Sequence, residues 1–382
     1  MRKVCVVVAS RANYGRVKYL LKAIVEHPDL ELQLIVGAST LLERFGRAID
    51  VIRADGFTPL RSIHYVVEGE TLSTQAKSTG LGIVELSTAF EDLAPDVVVT
   101  VADRFETMAT AIAATYLNIK LAHLQGGEVS GNIDDRVRHA ITKLADMHFA
   151  CSELSRQRVI GMGEDPRYVF NHGCPSIDVL LHDDLSISPA FMSRYLGVGR
   201  IDWSKPYMLV VQHPVTTSYG CGMAEITETL HAVHAFADMQ KVVLWPNIDA
   251  GSDDVSKGIR HFREYHMQAP IYYHKNFAPE DYGRVLNNAV CCIGNSSSFL
   301  REGAFLGVPV VIVGDRQEGR EHGPNVAFAG YDRGSIAEAV ARQLAHGRYP
   351  SAPLFGRGDA GPRIARELAS IDLDRIVKRK PQ

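Results

Sequence analysis

A repeated order of apolar strand, polar loop and amphipathic helix limits the folds that are open to this chain. The first repeat begins with Val4–Ala9, a continuous apolar run that is typical of a parallel strand covered on both faces. Ala12–His27 follows, with apolar side chains spaced for one face of a helix. Alternation of this kind predicts an α/β fold built on parallel sheets.

The first half of the chain continues this order. Leu41–Ala54 is predicted to be a helix, and Leu72–Leu93 is long enough for one helix or two. The predicted strands of this half are Val4–Ala9, Leu32–Val36, Ile63–Val67, Val97–Val101, Leu121–Leu124, Asp146–Ala150 and Tyr168–Phe170.

A polar stretch that ends in proline, Leu181–Pro189, is predicted to be a linker, and the alternation restarts after it. We therefore predict two Rossmann-like domains, residues 1–182 and 188–362, with the active site in the cleft between them. Pro362–Lys378 is predicted to be a final helix with basic residues near its C-terminus. The remaining predicted elements of this half are strands Tyr207–Val211, Lys241–Trp245, Ile271–Tyr273, Val290–Ile293 and Val308–Val313 and helices Met223–Ala237, Pro279–Asn288 and Phe299–Leu306.

Composition argues against several classes of protein. With 41 basic and 44 acidic residues the net charge is −3, so we expect no nucleic-acid partner bound by a basic surface. No apolar run approaches the roughly 18 residues of a membrane helix, so we expect no membrane association. The six cysteines show neither C-x-x-C nor zinc spacing, which predicts no metal and a cytoplasmic location.

Phosphate-binding candidates occur at two predicted helix starts. The first turn lacks G-x-G-x-x-G, yet Arg11 lies at a helix N-terminus, where a bound anion or a paired carboxylate would explain a cation. Gly294–Ser298 (GNSSS) follows a strand and opens a helix, as a diphosphate site or as a simple serine cap. Glu302, one turn on, is placed either to bind ribose hydroxyls or to complement the helix dipole, and Arg316 follows the next strand.

Carboxylates follow two neighbouring strands of the first half. Asp103 comes after Val97–Val101, and a glycine-rich loop after Leu121–Leu124 carries Gln125 and Glu128. Asp134 comes next and could instead serve as a helix cap. Crowded carboxylates raise one another's pKa and can then act as acid and base, so these residues are catalytic candidates.

Polar residues also follow the strands of the second half. His213 comes after Tyr207–Val211, where an imidazole can donate to phosphate or transfer protons, or can be structural. Asn247 follows the next strand, and His274 and Lys275 follow the one after that. These residues are candidates for holding a nucleotide.

Read in order, the motifs resemble the hydrolysing UDP-N-acetylglucosamine 2-epimerases of sialic-acid biosynthesis over residues 4 to 364. The motifs that carry the resemblance are Ser10–Ala12 (SRA), Asp103–Phe105 (DRF), Gly126–Gly131 (GGEVSG), Ile133–Asp135 (IDD), Arg138–Lys143 (RHAITK), Gln212–Pro214 (QHP), Pro246–Ser252 (PNIDAGS), Gly294–Ser297 (GNSS) and Asp315–Gln317 (DRQ).

This resemblance implies a glycosyltransferase-B-type fold in which two Rossmann-like domains face each other and a C-terminal helix, within residues 363–382, packs back on the first. It implies elimination of UDP to a glycal, followed by addition of water to give N-acetylmannosamine. It also implies that no metal or nicotinamide cofactor is needed and that the chain forms a homodimer or homotetramer.

The resemblance also implies roles for individual residues. Asp103 and Asp134 match carboxylates assigned to catalysis. The positions that match UDP-binding residues are Arg11, Arg104, His213, Asn247, His274, Ser296, Ser297, Glu302 and Arg316.

One position departs from the family pattern. Gln125 stands where some members carry a catalytic glutamate, and an amide cannot take up a proton, so Glu128 is the substitute candidate. This departure leaves open the related reaction on a UDP- or GDP-linked N,N'-diacetylbacillosamine, used for legionaminic acid. The motifs also leave open a non-hydrolysing 2-epimerase, a glycosyltransferase of the same fold, and a nucleotide-sugar sensor without catalysis.

Overall fold

The structure is a computed structural model that describes residues 1–69, 71–129, 133–195, 201–215, 218–246 and 249–376. Its contacts divide the chain into two units. The first contains Met1–Glu128, Ile133–His182 and the chain from Phe355 onward, and the second contains Asp183–Leu354. The sequence analysis expected the chain to return to the first unit within residues 363–382. In the structure it has already returned at Phe355.

Among the described residues, the first unit has one sheet of seven strands, and every strand pairing in it is parallel. The strands are β1 (Arg2–Val8), β2 (Leu30–Gly37), β3 (Arg61–Ile63), β4 (Val97–Val101), β5 (Lys120–Leu124), β6 (Met147–Ala150) and β7 (Val169–Asn171). Their order is β3-β2-β1-β4-β5-β6-β7, so the direction of winding reverses between β1 and β4.

The helices of this unit follow the strands, and two of them test predictions made from the sequence. Leu72–Leu93 is a single helix. The helix expected at Leu41–Ala54 is wrong, because Gly46 and Arg47 adopt left-handed conformations and leave two short 3-10 turns before a final helical segment. The helices are α1 (Arg11–Glu26), α2 (Ala48–Ala54), α3 (Leu72–Leu93), α4 (Phe105–Tyr116), α5 (Ile133–Leu144), α6 (Glu153–Gly161) and α7 (Pro175–His182).

The second unit repeats the same winding. Its strands are β8 (Tyr207–Val211), β9 (Gln240–Leu244), β10 (Ile271–His274), β11 (Cys291–Gly294), β12 (Val310–Val313) and β13 (Val326–Ala329). The described part of its sheet has the parallel order β10-β9-β8-β11-β12-β13, which reverses between β8 and β11. Its helices are α8 (Pro189–Arg194), α9 (Gly222–His234), α10 (Ser252–Tyr265), α11 (Pro279–Asn288), α12 (Ser297–Leu306) and α13 (Arg333–His346). The fold class of two Rossmann-like domains is confirmed. The sequence analysis missed β13, α8, α10 and α13 in this unit, and α6 and α7 in the first.

Each sheet is buried on both faces, which explains the continuous apolar strands. In β1, Val4, Val6 and Val8 point to one core, while Cys5 and Val7 point to the core on the opposite face. Two such cores flank the sheet of the second unit in the same way. Since most side chains on these faces are apolar and buried, the loops at the strand ends are where polar side chains can reach a ligand.

The last α-helix of the described residues, α14 (Ala360–Ser370), lies in the first unit and packs against α1 and α7. The expected helix Pro362–Lys378 is too long, because Asp372 accepts a hydrogen bond from the backbone N–H of Asp374 and starts a separate 3-10 turn. The last turn of α14 carries no basic residue. Residues 377–382 lie outside the described part of the chain.

A carboxylate from a neighbouring helix caps α14. Asp178 of α7 is fully buried and accepts hydrogen bonds from the backbone N–H groups of Ala360 at 3.1 Å and Gly361 at 2.7 Å. Asp359, at the cap position itself, makes no side-chain cap. Burial raises the pKa of Asp178 to about 6, although both backbone hydrogen bonds act to lower it.

We predict that Asp178→Ala lowers the free energy of unfolding by about 1–3 kcal/mol, because two buried N–H groups lose their acceptor. Urea denaturation measures this loss. Because its pKa is raised, folded Asp178 binds a proton between about pH 6 and pH 4, where the unfolded carboxyl has released it. This residue therefore adds stability as the pH falls from 7 to 4.

Asp178→Asn is the matched control, since an amide does not titrate. The stability of the wild type relative to this variant should increase between pH 7 and pH 4. A difference that stays constant over that range would contradict the burial of a titrating carboxyl.

Candidate active site

Both sheets place candidate residues beside the point at which the strand order reverses. In the first unit, β1 and β4 flank that point and are followed by Arg11 and Asp103. In the second unit, β8 and β11 flank it and are followed by His213 and Ser296. Open α/β sheets bind ligands at the carboxyl ends of strands at such points. Topology therefore supports these positions in each unit separately.

A buried arginine gathers the acidic residues of the first unit. Arg138 of α5 is 1% exposed, and its guanidinium forms ion pairs with the carboxylates of Asp103 and Asp135. It also donates to the backbone oxygen of Glu128 at 2.7 Å. Burial lowers the pKa of Arg138, but the negative charges of Asp103, Glu128 and Asp135 more than offset burial, so its pKa is raised. Arg138 is a permanent cation at the centre of this cluster.

The acidic residues differ in access to solvent. The Asp103 side chain is 15% exposed and that of Asp135 is 20% exposed, whereas Glu128 is 2% exposed. Asp134, beside Asp135 in the first turn of α5, is half-buried. A carboxylate that is both fixed by a cation and partly exposed is suited to exchange a proton with a bound molecule. Asp103 and Asp135 both meet these conditions, and Asp103 is the one that follows a strand at the point where the strand order reverses.

The backbone that carries Asp103 is held in an uncommon conformation. Ala102 has a φ of 66°, in the left-handed region that costs a non-glycine residue on the order of 1–3 kcal/mol. The fully buried His123 places Nε2 2.8 Å from the oxygen of Ala102 and Nδ1 3.2 Å from Oγ1 of Thr142. Burial lowers the pKa of His123 to about 3. The neutral imidazole donates from Nε2 and supports the turn before Asp103.

Gln125 turns its amide into the protein interior. It is 1% exposed, has a φ of 66°, and donates from Nε2 to Sγ of Cys174 at 3.0 Å. Its Oε1 atom is buried and accepts no hydrogen bond from the described residues. The contact with Cys174 explains how an amide is accommodated at this position.

The two arginines predicted to bind UDP in this unit have different surroundings. Arg11 is the first residue of α1 and is half-buried, with no acidic residue in its helical turn. Arg104 is 9% exposed, and its Nε lies 2.7 Å from Oε1 of the fully buried Glu106. Part of the charge of Arg104 is therefore balanced inside the unit.

The serine loop of the second unit is organised by its own hydrogen bonds. Ser296 caps α12, and its hydroxyl lies 2.8 Å from that of Ser298, which also pairs with the hydroxyl of Tyr282. Ser297 accepts a hydrogen bond at 3.0 Å from Arg301, which is 1% exposed. A buried cation beneath a helix N-terminus favours an anion there more strongly than three hydroxyls do alone.

Two further candidates have buried polar atoms without a partner among the described residues. These atoms are Oε2 of Glu302 and Nε2 of His274. Buried polar atoms are nearly always hydrogen-bonded, so a ligand hydroxyl would suit the acceptor of Glu302. Burial lowers the pKa of His274 to about 4, which keeps it neutral at pH 7. Lys275 beside it is exposed.

The structure connects four of the predicted residues, in two pairs, through two others that the sequence analysis did not select. Arg138 links Asp103 and Glu128 in the first unit. Asn295 links His213 and Arg316 in the second. The sequence did contain a signal for Arg138. It lies three residues after Asp135 in a helix that starts with acidic residues, and side chains at this spacing are neighbours on a helix surface. Asn247 lies outside the described residues.

Metal sites and membrane helices are absent from the described ranges. No three or more His, Cys, Asp or Glu side chains are grouped there in a way that could hold a metal ion. None of the helices in the same ranges has the length and apolar character needed to cross a membrane.

Comparison with known proteins identifies the family. The family model described as UDP-N-acetylglucosamine 2-epimerase matches residues 22–369. The chain belongs to this family. A relative, the UDP-N,N'-diacetylbacillosamine 2-epimerase (hydrolyzing) of Legionella pneumophila, is 31% identical over 100% of this chain and 99% of its own length. The UDP-N-acetylglucosamine 2-epimerase of Neisseria meningitidis is 27% identical over 94% of this chain and 92% of its own length.

A solved structure of this 2-epimerase family shares the fold. UDP-GlcNAc 2-epimerase from Neisseria meningitidis, crystallised with UDP-GlcNAc, gives a TM-score of 0.79 at 18% identity and covers 96% of this chain and 99% of that structure. The family resemblance read from the motifs is confirmed by the family model and the Legionella relative, and the Neisseria structure shares the fold.

We predict that Arg138→Met lowers the free energy of unfolding by about 3–5 kcal/mol, because it leaves the partly buried carboxylates of Asp103 and Asp135, and the buried Glu128 nearby, without their cation. Arg158→Met is the control, since Arg158 donates at 3.3 Å to the backbone of Gly127 in the same loop and should cost about 1 kcal/mol. Urea denaturation measures both variants.

A double variant tests whether charge is the cause. Asp103→Asn removes one of the carboxylates paired with Arg138, so adding it to Arg138→Met should cost less than the sum of the single losses. Additive losses would show that the charges of Arg138 and Asp103 are not coupled.

Proposed function

We propose that this epimerase is hydrolysing and converts UDP-N-acetylglucosamine to N-acetylmannosamine and UDP. The observation that carries the proposal is the cluster of Asp103, Asp135 and Glu128 around buried Arg138. A protein that only bound a diphosphate would gain nothing from gathering negative charge at a ligand-binding edge. Proton transfer to and from a sugar carbon requires such groups.

The proposed reaction has two stages in which atoms and electrons balance. A carboxylate takes the proton from carbon 2, the C–H electron pair forms the double bond between carbons 1 and 2, and the bond from carbon 1 to UDP breaks with its electrons. Water then adds its hydroxyl to carbon 1, and carbon 2 regains a proton on the opposite face. The net reaction consumes one water and releases the free sugar and UDP.

We assign proton abstraction to Asp103 because it is fixed by Arg138, partly exposed, and follows β4, which flanks the reversal of the strand order. Asp134 and Glu128 are the candidates that return a proton to carbon 2. When UDP leaves, negative charge develops on its diphosphate. The N-terminus of α12, where the buried Arg301 donates to Ser297, stabilises such charge. The residues proposed to hold UDP are Arg11, Arg104, His213, Asn247, His274, Lys275, Ser296, Ser297, Glu302 and Arg316.

A second candidate substrate is a nucleotide-linked N,N'-diacetylbacillosamine. The Legionella relative, which is named for that substrate, supports it at 31% identity over the full chain. In either case the free sugar would feed synthesis of a sialic-type or legionaminic-type acid. Incubation with UDP-N-acetylglucosamine and with UDP- and GDP-N,N'-diacetylbacillosamine, followed by comparison of kcat/KM, decides between them.

We predict that the reaction in heavy water gives a free 2-acetamido sugar that carries deuterium at carbon 2, because that carbon takes its new proton from solvent. Mass spectrometry and NMR of the product measure the label. An intact nucleotide sugar as the product would indicate the non-hydrolysing reaction. A product without label would contradict proton abstraction from carbon 2.

We also predict that Asp103→Asn reduces kcat by about 10³-fold or more, because an amide keeps the shape but cannot take a proton. The Kd for UDP, measured by calorimetry, should stay within about threefold of the wild type. Loss of UDP binding would instead make Asp103 a binding residue. Glu128→Gln is compared in the same assay, and an unchanged rate would remove Glu128 from the mechanism.

A further inference from the structure

Asn295 is buried where the winding of the second sheet reverses. It is 0% exposed and directly follows β11. Its Oδ1 accepts a hydrogen bond at 2.7 Å from the backbone N–H of His213, and its Nδ2 donates at 2.9 Å to the backbone oxygen of the same residue. One side chain therefore satisfies both backbone groups of His213, in the loop after β8.

The backbone of Asn295 holds a third loop. Its oxygen accepts hydrogen bonds from Nη1 of Arg316 at 3.1 Å and from Nε2 of Gln317 at 2.8 Å, and Gln317 is 1% exposed. Both donors follow β12. Asn295 thus connects the loops after β8, β11 and β12 immediately before Ser296, the cap of α12.

The position of Asn295 is fixed by close backbone packing. Gly294 has a φ of 131°, and a Cβ atom there would lie 2.1 Å from the backbone oxygen of Val211. The N–H of Asn295 donates at 3.1 Å to that oxygen and extends the pairing of β11 with β8. The side chain therefore starts from a defined point between the two strands.

We propose that Asn295 is the positioning residue of the diphosphate site, which rests on the proposed function. By engaging both backbone groups of His213, it sets the direction of that imidazole relative to Ser296 and Arg316. Only a side chain with a donor and an acceptor at this short reach can do so. Asn295 acts through these neighbours on the phosphates and leaves recognition of the nucleoside to other residues.

If Asn295 had a purely structural role, its replacement would give a different result. A buried asparagine that only stabilised the unit would, when replaced, lower stability and weaken every ligand alike. A positioning residue for the diphosphate weakens UDP selectively, because uridine lacks the phosphates. The ratio of the Kd for uridine to the Kd for UDP therefore separates the two roles.

Asn325 provides a matched control within the same unit. It is 1% exposed, donates from Nδ2 to the oxygen of Val308 at 2.8 Å, and precedes β13 at the amino edge of the sheet. His213 and Ser296 lie at the opposite edge of the sheet, after the carboxyl ends of their strands. Replacing Asn325 therefore removes a buried asparagine without touching that edge.

The experiment measures the Kd of UDP and of uridine by calorimetry for the full-length wild type, Asn295→Ala and Asn325→Ala, with thermal unfolding of each. We expect Asn295→Ala to raise the Kd for UDP by about tenfold or more and that for uridine by less than about twofold. Asn325→Ala should lower the melting temperature to a similar degree and leave the ratio of the two Kd values unchanged.

Equal weakening of UDP and uridine by Asn295→Ala, or no weakening, would overturn the positioning role. If that variant does not fold, Asn295→Ser, which keeps one hydrogen bond, should still lower the ratio selectively, and an unchanged ratio would overturn the proposal. A wild type that binds no UDP would refute the proposed function instead.

Discussion

Burial of a guanidinium among carboxylates is the interaction on which the chemistry of the first unit depends. Acidic residues repel one another, and removing any of them from water costs several kcal/mol unless it is paired. Arg138 supplies that pairing at the carboxyl ends of β4 and β5. Because three nearby negative charges keep it permanently charged despite burial, it can hold Asp103 in place without competing for the proton. The cluster thus combines fixed geometry with a partly exposed carboxylate.

The second unit solves a related problem with a neutral group. In the proposed function its loops hold donors around a diphosphate, and cations alone would repel each other there. Asn295 joins three loops through neutral hydrogen bonds, while the buried charge of Arg301 lies beneath the start of α12. Because Asn295 is neutral, it does not neutralise positive charge that could attract an anionic ligand. The two units therefore share one winding, with an ion-paired cluster at the strand ends of the first and a neutral, hydrogen-bonded asparagine at those of the second.

Much of the fold could be predicted from local pattern. Parallel strands such as β1 and β8 are apolar along their whole length because both faces are buried, and such runs are unmistakable. The helix α10 was not predicted, although Val255, Ile259 and Phe262 share one face, because charged and polar residues fill most of its other positions. The strand β13 is a four-residue edge strand that is largely half-buried, and its local signal is weak. The end of α14 depends on a cap at Asp372, which competes with helix continuation.

Apolar periodicity and motifs in fixed order were enough to predict the winding, the family and the strand ends that carry Asp103, His213 and Ser296. Which side chains meet became known only from the folded chain. Arg138 reaches Asp103 across 35 positions and Asn295 reaches His213 across 82. The first pairing depends on how α5 packs beside α4 and β5, and the second on the pairing of β8 with β11. No local pattern in the sequence encodes either arrangement.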